Sequence, residues 1–271
     1  MKPEAKIPKG ADAEAQLLGA MKAGGIPGLS DFKMLIERLA HHHILARVFL
    51  LDGTPHVFIN SPMKYIIFKE QVASEFGIGS QDVCIVGSAR LGFSPSPHKF
   101  GRPFSDTSDV DVVLISEPLF LEGSQALFQE LNSVGPPLTF SDKPHKRKPV
   151  EVRDDDWKSI KEAIRNFVFN NFNPGLLPYP HPLRVRIFNG ISGTTGLFLA
   201  LEPQVFVSKI RCRIFRTWKA AEDYYANSLR QAQATFRGEA SELLEEDDEE
   251  SAAGSATQQK ASIDAAASDP P

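Results

Sequence analysis

The segment "CIVGSARLGFSPSPHKFGRPFSDTSDVDVVLIS", residues 84–116, holds two apolar runs, "CIV" and "VVLI", with Gly87-Ser88 after the first and Asp109-x-Asp111 before the second. In an extended strand, residues i and i+2 point to the same face. Asp109 and Asp111 therefore project together, while Val110, Val112 and Leu114 turn to the core. Two neighbouring carboxylates beside a dry sheet repel one another unless a cation neutralises them. Oxygen donors select a hard ion, and one or two carboxylates completed by substrate phosphates are a common Mg²⁺ arrangement. One or two such ions fit the pair, and with two the site could clamp both the attacking and leaving oxygens of an in-line phosphoryl displacement.

The upstream half of the segment suits the other end of such a substrate. Gly87 permits close backbone approach, and exposed N–H groups at a strand-to-turn junction cradle phosphate. Ser88 adds a hydroxyl, and Arg90 a fixed positive charge two residues on. The linking stretch "GFSPSPHKFGRPFSDTS" reads as an extended loop with Lys99 and Arg102 in reach of a phosphate.

On "GSAR" and "SDVDVVLIS" the chain resembles the nucleotidyltransferase superfamily of DNA polymerase beta, in particular its small bacterial, minimal and defence-associated members. The resemblance is close over 82–116 and extends, at the level of element order, over about 45–230. It implies an α+β fold, a mixed sheet of four to six strands with flanking helices. It also implies that Gly87 and Ser88 hold a nucleoside triphosphate and that Asp109 and Asp111 bind the catalytic metals. The connecting loop is longer than in most of the family. Active members carry a third carboxylate on a later strand, for which Glu151 in "PVEVR" is the candidate here.

Around this motif the chain divides into a flexible arm (1–28), a nucleotidyltransferase-like domain (29–236) and an acidic tail (237–271). In the domain, "DFKMLIERLA" has helical spacing of apolar residues, and "ARVFLLDGTPHVFI", with its Asp-Gly-Thr-Pro turn, predicts a hairpin over 46–59. Ser61-Pro62 and Gly77 bracket a helix by the N1-proline and C-cap-glycine rule. "EPLFLEGSQALFQELNSV" predicts a second helix, "PVEVR" a short strand around Val150–Val152, and the residues from about Asp155 a third helix. "NPGLLPYPHPLRVRIFNG" reads as a Pro-rich loop leading into a strand. Ile210, Ile214, Trp218, Ala221, Tyr225 and Leu229 predict a C-terminal helix over 207–232, beside which Lys209, Arg211, Arg213 and Arg216 are candidate phosphate contacts.

The net charge of −4 conceals an asymmetry. Residues 238–271 hold ten acids against one Lys, net −9, which leaves 24 acids and 29 bases, +5, on the rest. A mildly basic body suits a polyanionic ligand, and a tail without aromatic residues lacks the apolar surface to fold by itself. Cys84 and Cys212 have neither metal nor disulfide-framework spacing. No apolar run is long enough to span a bilayer and the first residues lack an apolar signal core, so a cytoplasmic protein without a membrane partner is expected. His41-His42-His43 reads as a solvated helix end, and the basic run Lys143–Lys148 as a solvated loop.

The expected function is metal-dependent transfer of a nucleoside monophosphate from a nucleoside triphosphate to a protein or nucleic-acid acceptor. Two alternatives are a degenerate, non-catalytic nucleotide-binding sensor or partner protein and a nucleic-acid-binding module built on the basic run.

Overall fold

The computed structural model describes residues 25–39, 41–134, 162–177, 181–205, 207 and 209–238. They form an α+β structure around one four-stranded mixed sheet, with strands β1 (Val83–Val86), β2 (Val110–Ile115), β3 (Asn171–Phe172) and β4 (Ile210–Phe215) in the order β1-β2-β4-β3. β2 is central. It pairs antiparallel with β1, Val86 opposite Asp111, and parallel with β4, Asp111 opposite Arg211.

The helices are α1 (Leu29–Arg38), α2 (Pro62–Phe76), α3 (Gly87–Leu91), α4 (Glu117–Val134), α5 (Pro182–Leu201) and α6 (Trp218–Phe236), with a further helical stretch at 162–168. α2 starts at Pro62 and stops at Gly77, whose φ of 65° is the left-handed conformation that a C-capping glycine adopts readily. α4 occupies the span its sequence predicts.

The strand period sorts the sheet into two faces. Val83, Ile85, Val110, Val112, Leu114, Ile210 and Ile214 join the larger core with residues of α2, α4 and α5. There Phe58, Phe68 and Phe198 meet edge-to-face or tilted, with centroids 5.3–5.9 Å apart. Cys84, Val86, Val113, Ile115 and Phe215 form the opposite face and pack against Leu51 and, from α6, Ala220 and Ala221. Cys84 and Cys212 thus lie on opposite faces as free thiols, and burial pushes both up to about 12, which keeps them protonated at neutral pH.

Three expected elements differ. The hairpin over 46–59 is replaced by a helical hook: an α-turn His42–Leu45, a π-type stretch Ala46–Leu51, and a 3₁₀ turn His56–Phe58. The wide π turn buries Phe49, Leu50 and Leu51 in succession, the first two against α1 and α6 and the third against the sheet. A strand buried on both faces could also hold such a run; the helical hook instead divides it between the α1–α6 cluster and the sheet.

The strand expected at "LRVRIF" is instead part of α5. Pro182 occupies the first turn, the His181 ring accepts from the Leu183 N–H at 3.2 Å, and Leu183, Ile187, Ile191 and Phe198 are buried along one face. Conversely, the helix expected over 207–232 begins only at Trp218, where the Thr217 hydroxyl accepts from the Ala220 N–H at 3.2 Å. "IRCRIF" before it alternates with period 2 and is β4. The short strand at Val150–Val152, the basic run, Glu151, the tail beyond Gly238 and most of the arm lie outside the described residues.

Candidate functional site

β1 ends at Val86, and the chain turns at Gly87 with φ +68° into the short helix α3. The antiparallel register sets Val86 across from Asp111, so the turn lies directly against that carboxylate. A Cβ built on Gly87 would meet Asp111 Oδ2 at 2.9 Å. Glycine is therefore required twice, by the positive φ and by the close approach. The Gly-Ser turn and the Asp-x-Asp strand, separated by a long loop in the sequence, meet here as one cradle.

That loop is folded back on itself rather than extended. Phe93 bridges Pro103, the Ser94 N–H donates to the Arg102 carbonyl at 2.8 Å, and the Phe104 N–H donates to the Gly92 carbonyl at 2.9 Å. Phe100 anchors it between Phe32, 6.3 Å away, and Phe236, 4.6 Å away, with Lys99 and Arg102 exposed beside it. The Ser105–Ser108 turn then delivers the chain to Asp109.

Asp109 and Asp111 share the sheet face of Val113 and Phe215, as period 2 requires. The parallel neighbour β4 places Arg211 and Arg213 on that face. Arg211 Nη2 lies 2.7 Å from Asp109 Oδ2, an ion pair in which the arginine side chain is 41% and the aspartate 21% exposed. Arg213 donates to Asn171 Oδ1 at 3.1 Å and stacks 4.9 Å over the Tyr224 ring. Tyr225, whose ring meets those of Phe215 and Tyr224, has its phenol held well above its ordinary range, chiefly by burial, with Tyr224 and the Asp111 charge adding to the effect.

The remaining predicted residues distribute as follows. Ser88 sits in the first turn of α3, and its carbonyl accepts from the Gly92 N–H at 2.8 Å. Arg90 points inward: it is 2% exposed and donates from Nη1 to the Thr54 carbonyl and from Nη2 to the Asp52 carbonyl. Its guanidinium ties α3 to the 52–54 loop and is not offered to a phosphate at the surface. Arg216 pairs with Glu117 at 2.6 Å, away from the aspartates. The histidine run is also only partly solvated: His41 and His43 are exposed, whereas His42 is buried between α1 and α6.

Two partly buried carboxylates beside a backbone cradle are a donor set suited to Mg²⁺, which takes few protein oxygens and keeps phosphate and water in its remaining positions. Among the described residues no group of three His, Cys, Asp or Glu side chains is arranged around a common point. Arg211, a candidate phosphate contact expected beside a helix, stands instead on strand β4. The alternation Ile210-x-Cys212-x-Ile214 was the signal for the strand that instead aims it at Asp109.

The chain matches no protein-family model, no curated protein and no solved structure. No described helix is long and apolar enough to cross a membrane.

Proposed function

We propose that the chain is a metal-dependent nucleotidyltransferase of the DNA polymerase beta type, acting on a nucleoside triphosphate. The observation that carries this reading is the seating of the Gly87-Ser88 turn on the Asp111 carboxylate, which sets phosphate-binding N–H groups beside oxygen donors for a cation. Gly87 and Ser88 hold phosphate oxygens. Asp109 and Asp111 hold one or two Mg²⁺ ions, which would supply charge neutralisation at the phosphates. The chain's contribution is positioning and electrostatic preorganisation. The acceptor, protein or nucleic acid, is left open.

A second reading, a nucleotide-binding sensor without turnover, draws support from β4, which brings cationic Arg211 onto Asp109. A guanidinium cannot take a proton from an acceptor hydroxyl. Incubation with α-labelled ATP and Mg²⁺ separates the two. Label transfer or pyrophosphate release supports the transferase, and saturable Mg²⁺-dependent binding without either supports the sensor. Equal ATP affinity with Mg²⁺ and with chelator would overturn both. Asp111→Asn serves as the site control and is expected to abolish Mg²⁺-dependent binding.

A further inference from the structure

The contact between Arg211 and Asp109 has a role within the metal-binding reading above, on which this inference rests. Asp109 and Asp111 face one way from the same strand, and two like charges so placed call for positive charge nearby. β4 supplies the compensation in register: Arg211 stands opposite Asp111 and its guanidinium reaches Asp109 Oδ2 at 2.7 Å. That carboxylate is one of the two that would hold a cation.

We propose that Arg211 is a displaceable counter-ion: it occupies Asp109 while the site holds no metal, yields the carboxylate to an incoming divalent cation, and then contacts the triphosphate that arrives with it. Three observations make the exchange feasible. The arginine side chain is 41% exposed, so it can swing without unpacking the sheet. An ion pair with so exposed an arginine is worth little, and a divalent cation brings twice its charge to the carboxylate. The guanidinium fork matches phosphate oxygens as well as it matches a carboxylate. Arg213, by contrast, is held by Asn171 and by the Tyr224 ring, and stays in place. Arg211 is thus a ligand-binding and positioning residue, with no proton to give or take.

The inference makes opposite demands on two ligands. In Arg211→Ala, affinity for Mn²⁺ alone, measured by calorimetry or paramagnetic broadening, is expected to rise about three- to fivefold, the worth of one half-exposed ion pair. Affinity for ATP in saturating Mg²⁺ is expected to fall about tenfold, the worth of one charge-assisted phosphate contact. Arg211→Lys keeps a charge and should restore the competition with Mn²⁺ while recovering only part of the ATP affinity. Arg216→Ala, which removes an arginine paired to Glu117 elsewhere, should leave both affinities unchanged. Thermal melting of each variant checks that the fold persists.

Mn²⁺ affinity unchanged or lower in Arg211→Ala overturns the inference while leaving the wild-type metal and nucleotide site intact. A wild-type protein that is silent toward Mn²⁺, with Arg211→Ala binding it, supports the counter-ion role. Silence toward both ligands in wild type and variant alike overturns the metal-binding reading and this inference with it.

Discussion

Gly87 and Asp111 are in contact range across the β1–β2 pair: a side chain on the glycine would begin 2.9 Å from the aspartate's Oδ2. The absence of that side chain joins two motifs that the sequence separates by a loop. Gly87→Ala must therefore strain a φ of +68° and push the carboxylate aside. The expected cost is about 1–2 kcal/mol from the backbone, read by urea denaturation. Mg²⁺-dependent ATP binding is expected to be lost well below the unfolding midpoint. Unaltered binding would mean that turn and carboxylate do not act together.

Arg90 provides a second test, because its burial separates structure from ligand binding. Its charge is desolvated and Nε has no hydrogen-bond partner, yet both Nη atoms engage the 52–54 loop. Arg90→Ala removes those bonds and leaves a cavity, at an expected cost of about 2–4 kcal/mol. Arg90→Met fills most of the volume and lifts the desolvation penalty, so about 1 kcal/mol is expected. The Met variant should also become more sensitive to proteolysis near Gly53. Loss of ATP affinity with full stability would indicate instead a direct phosphate contact.

The buried His42 gives a pH dependence whose sign is fixed. Its pKa is lowered from 6.5, first by burial and then by the positive charge of Arg230, against a raising hydrogen bond to the Ile36 backbone. The folded state thus binds this proton less readily than the unfolded state does. Stability is fully present above pH 6.5, falls as pH drops through the interval down to the folded pKa, and levels off below it. His42→Gln should flatten the melting temperature between pH 6.5 and 5, whereas replacing the exposed His43 should not. An unchanged slope in His42→Gln would assign the titration to another group.

Gly123 sits under the Phe172 ring, where a Cβ would approach ring carbons at 2.6 Å. Alanine is the better helix former by about 1 kcal/mol. Overpacking against a buried aromatic costs about 1–3 kcal/mol and is expected to win. Gly123→Ala should lower the denaturation midpoint, and a rise would show that Phe172 repacks freely.

The elements that could be read from the sequence are those whose signals are local. The Pro62 and Gly77 boundaries and the apolar runs of β1 and β2 each depend on neighbours a few residues away, whereas the association of Gly87-Ser88 with Asp109 and Asp111 across a long loop followed from the family resemblance alone. What escaped depends on tertiary burial. Phe49, Leu50 and Leu51 form a continuous apolar run that strand and helix accommodate equally until two packing surfaces claim it. "LRVRIF" has strand-forming residues, but the spacing of Leu183, Ile187, Ile191 and Phe198 outweighs them. In the site, neither the inward turn of Arg90 nor the reach of Arg211 to Asp109 can be found without knowing which strands are neighbours.

The central position of β2 also bears on how the chain is made. Its first neighbour, β1, precedes it closely, but its second, β4, arrives only near the end of the described chain, followed at once by the helix that covers Cys84, Val86, Val113 and Ile115. A nascent chain that has produced Ser116 already holds β1 and β2, yet one edge of β2 is unpaired and one apolar face is bare. Open strand edges recruit other strands. Translation that stalls between β2 and β4 is therefore expected to leave a strand pair with an open edge, and a chain released before Phe215 is expected to aggregate, which pelleting of a fragment truncated after Ser116 checks.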